Sequence, residues 1–393
     1  MDFSFSTDDE AFRARARQWL AERLEAPGAP FADLRPTTGG EPPGHRRRLE
    51  WERELGAGGW IGLGWAEGTL TRQVVWAEEY ARAQAPASLG VVGEHLLAPT
   101  LLRHGSPAQQ QRFLPGIASG EEIWCQGYSE PGAGSDLASV RTTAAPDGDG
   151  WRVDGQKTWT SLSQWAHRCF VLARTEPGSH RHHGLSLLLL PMDQPGRVEV
   201  RPIRQLDGHC DFSEVFFDGA RADHVVGRPG DGWRVAMTLL SFERGAGMLG
   251  RQIGFARELD TVLAEAARTG AADDPVVRER LTRQWAELHT MRCNALRTLG
   301  TAEPGSAAVA KLLWGGWHQR LGELAVRVLG PEGATVPGHL HSDVYAVTEA
   351  QQRMLFSRAD TVYGGSDQIQ RNLIAERVLG LPREPRPARP QRP

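Results

Sequence analysis

The stretch Gln126-Gly127-Tyr128-Ser129-Glu130-Pro131-Gly132-Ala133-Gly134-Ser135-Asp136 puts three glycines, a proline and two serines into eleven residues. That composition describes a loop shaped around a ligand, with a cofactor as the natural occupant, although turns also collect Gly, Pro, Ser and Asp for purely local reasons. The loop also marks a change of texture. Before it, Thr7 to about Leu24 reads as a helix, with Thr7 and Glu10 at capping-box spacing and Phe12, Trp19 and Leu20 on one stripe. Residues 46–55, 69–84, 88–104 and 107–118 continue in the same style, and Gly105-Ser106-Pro107 is a stop and restart. From about Ile123 short β-type runs take over: Trp151 to Gly155, Arg168 to Ala173, Gly184 to Pro191, Val198 to Ile203 and Ser213 to Asp218. Past Gly232 helical periodicity returns. One long helix is expected from Trp233 to about Arg268. A second starts with Asp274 as N-cap and Pro275 at its first position, and carries Leu281, Trp285, Leu288 and Leu296. Further helices are expected over Ser306 to Leu329, Thr348 to Arg358 and Gln368 to Leu379.

The expected fold is therefore α+β and multidomain, mostly α. An all-helical N-terminal domain (1–122) precedes a middle domain of antiparallel β-sheet or barrel (123–228). A C-terminal helical bundle (229–380) and a Pro/Arg-rich tail (381–393) follow. At 393 residues each part can bury a core of its own. A net charge of -3 with scattered Lys and Arg points away from nucleic acid and anionic membranes, and His45-Arg46-Arg47-Arg48 beside Glu50 and Glu52 reads as a solvated helix start. No apolar window approaches the roughly 20 residues that span a bilayer, and Met1-Asp2-Phe3-Ser4 does not open a signal peptide, so a cytoplasmic protein is expected. Cys125, Cys169, Cys210 and Cys293 form no CxxC pair, which argues against a metal knuckle or disulfide framework. Most of the 13 tryptophans read as packing.

Two motifs invite over-reading. Gly245-Ala246-Gly247-Met248-Leu249-Gly250 fits the dinucleotide fingerprint, but helix precedes it and no strand alternation follows, so the βαβ context is missing. His180-Arg181-His182-His183 is dense in histidine but has no convergent carboxylate or cysteine, and reads as a solvated loop with no metal.

Two later segments share the distinctive wording of the first: Gly155-Gln156-Lys157-Thr158-Trp159-Thr160-Ser161 and Tyr363-Gly364-Gly365-Ser366-Asp367-Gln368-Ile369-Gln370-Arg371. Together, and in this order, the three resemble the flavin-binding motifs of the acyl-CoA dehydrogenase family, and the resemblance extends over nearly the whole chain. It implies FAD as cofactor. Gln126, Tyr128 and Ser129 would lie along the isoalloxazine, Gly134 and Ser135 near the ring, diphosphate or CoA end, and Trp159, Thr160 and Ser161 on the ring's other flank. Ser366, Asp367 and Gln368 would meet the adenosine half. The implied reaction removes the α-proton of an acyl-CoA thioester while the β-hydrogen leaves as hydride, with electrons passing to an electron-transfer flavoprotein and the protein working as a homo- or hetero-tetramer.

That chemistry needs a carboxylate base and a polarised thioester carbonyl. Many family members carry Glu as base where this chain has Gly364, whose backbone N–H can keep only the carbonyl-polarising half of the role. Isovaleryl-type and long-chain-type members place the base on a C-terminal-domain helix before an arginine, which matches Glu243 and Arg244 here. Glu243, Gly247, Gly250 and Gly254 share one helical face, and glycines cost a helix about 1 kcal/mol each, so close approach of an acyl chain is the natural explanation. The alternative is that Glu243 pairs with an arginine while the glycines pack on a neighbouring helix. Ser135, Arg244, Gly247 and Gly365 complete the expected substrate contacts.

Other departures matter too. Trp65-Ala66-Glu67-Gly68 runs almost directly into a helix where family members often have a Pro/Gly-rich loop, and the Arg-x-x-Phe-Gly element that reaches a neighbouring subunit's FAD is missing after Arg268-Thr269-Gly270. The pattern looks most like bacterial members, some of which work in hetero-oligomers on bulky acyl groups such as steroid side chains. Two rivals stay open: flavin-dependent oxidase or hydroxylase chemistry on the same scaffold, and a companion subunit without turnover of its own.

Overall fold

The computed structural model describes residues 5–35, 44–65, 70–242, 247–298, 305–335 and 347–383. The chain divides into a unit of residues 2–254 and a unit of residues 255–393.

The first unit opens with helices α1 (Thr7–Leu24), α2 (His45–Ala57), α3 (Leu70–Arg82), α4 (Ala98–His104) and α5 (Pro107–Ala118). The capping box of α1 lies one residue earlier than expected. Ser6 accepts from the Asp9 amide at 3.1 Å and Asp9 accepts from the Ser6 amide at 3.3 Å, so Thr7 is already helical and Glu10 is not the reciprocal partner. The region expected as helix 88–104 contains a π turn at Gly93–Leu97 leading directly into α4. Tryptophans build the N-terminal core: Trp60 stacks on Trp76 at 4.3 Å, and Trp19 lies against Trp51 and Trp60. The basic run of α2 is less solvated than expected, since Arg47 pairs with Asp33 and Glu50, and Glu52 is buried.

Eight strands follow: β1 (Trp124–Gly127), β2 (Thr143–Asp147), β3 (Gly150–Ser161), β4 (Arg168–Arg174), β5 (Leu185–Pro191), β6 (Val198–Ile203), β7 (Phe212–Ala222) and β8 (His224–Val226). They form one sheet in the order β6-β7-β3-β2-β4-β5-β8, with β1 on β4. The sheet is not purely antiparallel as expected, because β1 pairs with β4 in parallel. That register sets Cys125 opposite Cys169; both are buried free thiols. Alternating residues of β4 and β5 feed two cores. Phe170, Leu172, Leu187 and Leu189 join Leu97, Leu101, Phe113 and, from helix α6 (Gly232–Phe242), Val235 and Leu239. Val171, Leu188 and Leu190 join Val153, Val215 and Phe217 on the opposite face. Burial on both faces explains the four consecutive leucines, Leu187 to Leu190, of β5.

The expected single helix from Trp233 to Arg268 is described as α6 and α7 (Gly247–Thr269), with residues 243–246 outside the described residues. The second unit takes in the remainder of α7 with α8 (Pro275–Thr298), α9 (Ser306–Val328), α10 (Glu349–Ser357) and α11 (Asp367–Leu373), which a π turn at Ile374–Val378 prolongs. Asp274 caps α8 as expected, accepting from the Val276 amide at 2.8 Å. The buried face of α8 is Val277, Leu281, Gln284 and Met291, whereas Trp285 is 60% exposed and stacks on His289, so Trp285 does not belong to the expected apolar stripe. Among the described residues no helix is long and apolar enough to cross a membrane.

Candidate active site

The first two motifs meet in the 2–254 unit. Gln126 lies in strand β1, which ends at Gly127, and the chain then turns at Glu130–Ala133, where the two residues exchange backbone hydrogen bonds of 3.1 and 3.0 Å. The Ser129 carbonyl accepts from the Thr158 amide at 2.9 Å, tying the loop to β3. A buried ion pair locks this junction. Lys157 Nζ donates to Glu130 Oε1 at 2.8 Å and to the carbonyls of Tyr128 (3.1 Å) and Leu172 (2.7 Å). Glu130 accepts in turn from the Arg141 and Thr142 amides at 2.6 and 2.9 Å. Burial pulls the Lys157 ammonium down to about 8 against the pull of Glu130. Burial also pushes the Glu130 carboxyl upward, but Lys157 and the hydrogen bonds to Thr142 and Arg141 outweigh it and hold that carboxyl below its usual range. Neither residue was singled out from the sequence, although both lie inside the quoted motifs.

The motif Gly155 to Ser161 forms most of strand β3, which runs six residues beyond the strand expected to end at Gly155. Its register against β7 shifts between Lys157 and Thr160, so β3 carries an extra residue there. Trp159 occupies the bulge at φ 58°, a conformation that a bulky side chain adopts at a cost of about 1–3 kcal/mol, and its indole is 59% exposed with an edge contact to Phe212. Leu162 is also left-handed, at φ 62°. Between them Thr160 is fully buried, and its Oγ1 has no hydrogen-bond partner among the described residues. Tyr128 is buried against Phe170, Ser129 and Ser161 are half-buried, and Gly134 and Ser135 are exposed. Among the described residues the Gly134 and Ser135 amides donate to no acceptor, and a Cβ at Gly132 or Gly134 would meet nothing within 4 Å.

The third motif lies in the 255–393 unit. Gly364 and Gly365 take φ of 63° and 86° in succession, a turn that side chains resist. Gln370 spans it from inside, donating to the Gly364 and Gly365 carbonyls at 3.0 and 3.1 Å. The Gly364 amide donates to no acceptor among the described residues, and the residue is exposed. Ser366 is the N-cap of α11, its hydroxyl accepting from the Ile369 amide at 3.4 Å. Asp367 Oδ1 is buried with no partner among the described residues, and Gln368 is exposed.

Glu243 and Arg244 lie outside the described residues. Of the fingerprint-like run, Gly247 to Gly250 begin α7, and a Cβ at Gly254 would meet nothing within 4 Å. The histidine run is an exposed loop in which the His182 ring lies tilted by 36° against Trp233, 4.5 Å between centroids.

Family models of the acyl-CoA dehydrogenase N-terminal, middle and C-terminal domains match residues 6–121, 125–220 and 230–379. The chain belongs to the acyl-CoA dehydrogenase family. The curated acyl-CoA dehydrogenase IpdE1 of Mycobacterium tuberculosis is 54% identical to this acyl-CoA dehydrogenase over 388 residues, covering 96% of this chain and 99% of its own. Among solved structures, the Tcur3481-Tcur3483 steroid ACAD superposes with a TM-score of 0.80 at 29% identity, over 98% of this chain and 100% of that one. The ChsE4-ChsE5 complex of Mycobacterium tuberculosis follows with a TM-score of 0.77 at 27% identity, over 98% and 100% of the two chains. The family is flavin-dependent, and the residues of this dehydrogenase suit a flavin. An apolar ring held outward at Trp159, an orphaned hydroxyl at Thr160 and open amides at Gly134 and Ser135 offer an aromatic face, a polar contact and anion donors.

Proposed function

We propose that this dehydrogenase binds FAD at Gln126, Tyr128, Ser129, Gly134, Ser135, Trp159, Thr160, Ser161, Ser366, Asp367 and Gln368, and converts an acyl-CoA to its trans-2-enoyl-CoA. The observation that carries the reading is Trp159, because an indole held 59% exposed on strained left-handed backbone suits a side chain kept there to cover a ligand. When bound, FAD supplies the acceptor for the β-hydride. Glu243 takes the α-proton, and the amide of Gly364 donates to the thioester oxygen as negative charge develops there. Arg244, Gly247, Gly365 and Ser135 contact the substrate. Bulky acyl groups of steroid type are the proposed substrates, since the Tcur3481-Tcur3483 relative, of the same fold and 29% identity, is a steroid ACAD. Electrons pass to an electron-transfer flavoprotein, and the working assembly is a homo- or hetero-tetramer.

Glu243→Gln is expected to keep FAD while turnover falls by roughly two to four orders of magnitude. Turnover near that of the wild type would move the base elsewhere.

A companion subunit without turnover of its own is a second reading. It is favoured by Gly364 standing at a Glu position and by two structural relatives, Tcur3481-Tcur3483 and the ChsE4-ChsE5 complex, that each pair two proteins. Anaerobic addition of butyryl-CoA, octanoyl-CoA, isovaleryl-CoA and a cholanoyl-CoA to the protein purified alone decides between them. Bleaching of a yellow protein supports the dehydrogenase; a colourless or unbleached protein supports the companion; rapid peroxide formation in air would support an oxidase.

A further inference from the structure

A buried charged chain runs through the 255–393 unit and ends on the turn that carries Gly364. His318, on α9, is 7% exposed. Its Nε2 lies 2.8 Å from Glu258 Oε2 of α7, and its Nδ1 lies 2.5 Å from Asp360 Oδ2. Asp360 is 1% exposed, and its other oxygen accepts from the Tyr363 hydroxyl at 2.6 Å. The Asp360 carbonyl accepts from Lys311, whose ammonium stands 3.9 Å from the Trp314 ring and 4.4 Å from the Tyr363 ring. Arg353 of α10 completes the far end, 3.1 Å from Glu258 Oε2. Backbone contact is equally close, since a Cβ at Gly315 would sit 3.2 Å from the Asp360 carbonyl oxygen.

We infer that His318, through Asp360 and Tyr363, is a positioning residue that fixes the Tyr363-Gly364-Gly365 turn and thereby aims the Gly364 amide. The inference rests on the proposed role of that amide at the thioester. Two glycines in left-handed conformation have many alternatives open to them, and the Gln370 side chain holds only their carbonyls. The side chain immediately before them is what the buried chain anchors. With Glu258 and Asp360 on its two nitrogens, His318 holds a proton. Burial alone would lower its pKa, but the hydrogen bonds to Asp360 and Glu258 raise it to about 9. The charges facing it are Glu258 from α7, Arg353 from α10, Lys311 on its own helix and Asp360 before the turn. A pKa raised from 6.5 gives a contribution fully present below about pH 6.5 and lost as pH rises through about 9.

The test uses the full-length, FAD-loaded protein with His318→Gln and the milder Tyr363→Phe, which removes one hydroxyl and keeps the ring. Hydrogen exchange of the Val362 and Tyr363 amides, which both donate to the Ala359 carbonyl, is expected to quicken by about tenfold or more in both, with α9 and α10 unchanged. Turnover of octanoyl-CoA or a cholanoyl-CoA, whichever the wild type oxidises faster, is expected to fall about tenfold at KM within about twofold and unchanged FAD content. The thermal stability lost in His318→Gln is expected to shrink as pH rises through about 9. Unchanged exchange of the Val362 and Tyr363 amides in Tyr363→Phe would overturn the inference. Faster exchange with undiminished turnover would keep the hold on the turn but overturn the role of the Gly364 amide in the reaction.

Discussion

The bulge at Trp159 and the turn at Gly364-Gly365 take up the same left-handed backbone by opposite means. At φ 58° strand β3 tolerates strain to retain a large exposed side chain, whereas at φ 63° and 86° the other unit has no side chains at all and leaves an amide open. The difference separates what each place contributes: an aromatic surface in one, a backbone donor in the other. Both are backed by a buried cation between carboxylate and carbonyl groups, Lys157 on Glu130 behind the bulge and Lys311 with His318 on Asp360 behind the turn.

Three substitutions would break or sharpen this contrast. Lys157→Met should have the largest effect, about 3–5 kcal/mol by thermal or denaturant unfolding with loss of FAD, because it strands the buried Glu130 carboxylate and two carbonyls. A near-neutral result would mean that the bulge does not depend on the ion pair. Gly365→Ala should cost about 2 kcal/mol, since its Cβ is disfavoured at φ 86° and would meet Gln370 Nε2 at 2.5 Å. Its expected signature is reduced turnover with FAD retained. Trp159→Gly should change stability least, within about 1 kcal/mol of the wild type and in the stabilising direction, because glycine relieves the strained backbone. FAD affinity should nonetheless drop, as measured by titration of the apoprotein. A variant both less stable and equally good at binding FAD would show that the indole serves the sheet.

The three motifs were legible because their composition is local, and the order of helices, sheet and helices followed from periodicity. The extent of β3 was not, since a bulge interrupts the alternation that reveals a strand and the expected strand stopped at Gly155. Charge in a Gly-rich loop reads as solvent-facing, so the burial of Glu130 became visible only with Lys157 brought against it from 27 residues away. His318 falls on the buried face of α9 beside Trp314, Trp317 and Leu321, where a lone histidine resembles core, and its partners lie 42 and 60 residues distant. The α1 cap slipped by one residue because Ser6-x-x-Asp9 and Thr7-x-x-Glu10 offer nearly equal chemistry.

Strand β5, Leu185–Pro191, has a further consequence for the newly made chain. Leu187 and Leu189 are covered partly by α4 and α5, which precede them, and partly by α6, which follows. During synthesis that leucine-rich ribbon therefore leaves the ribosome before Val235 and Leu239 exist to shield it. Until Gly232–Phe242 has emerged, one face of the sheet is an adhesive surface, and escape from aggregation depends on how quickly translation and chaperones close the interval.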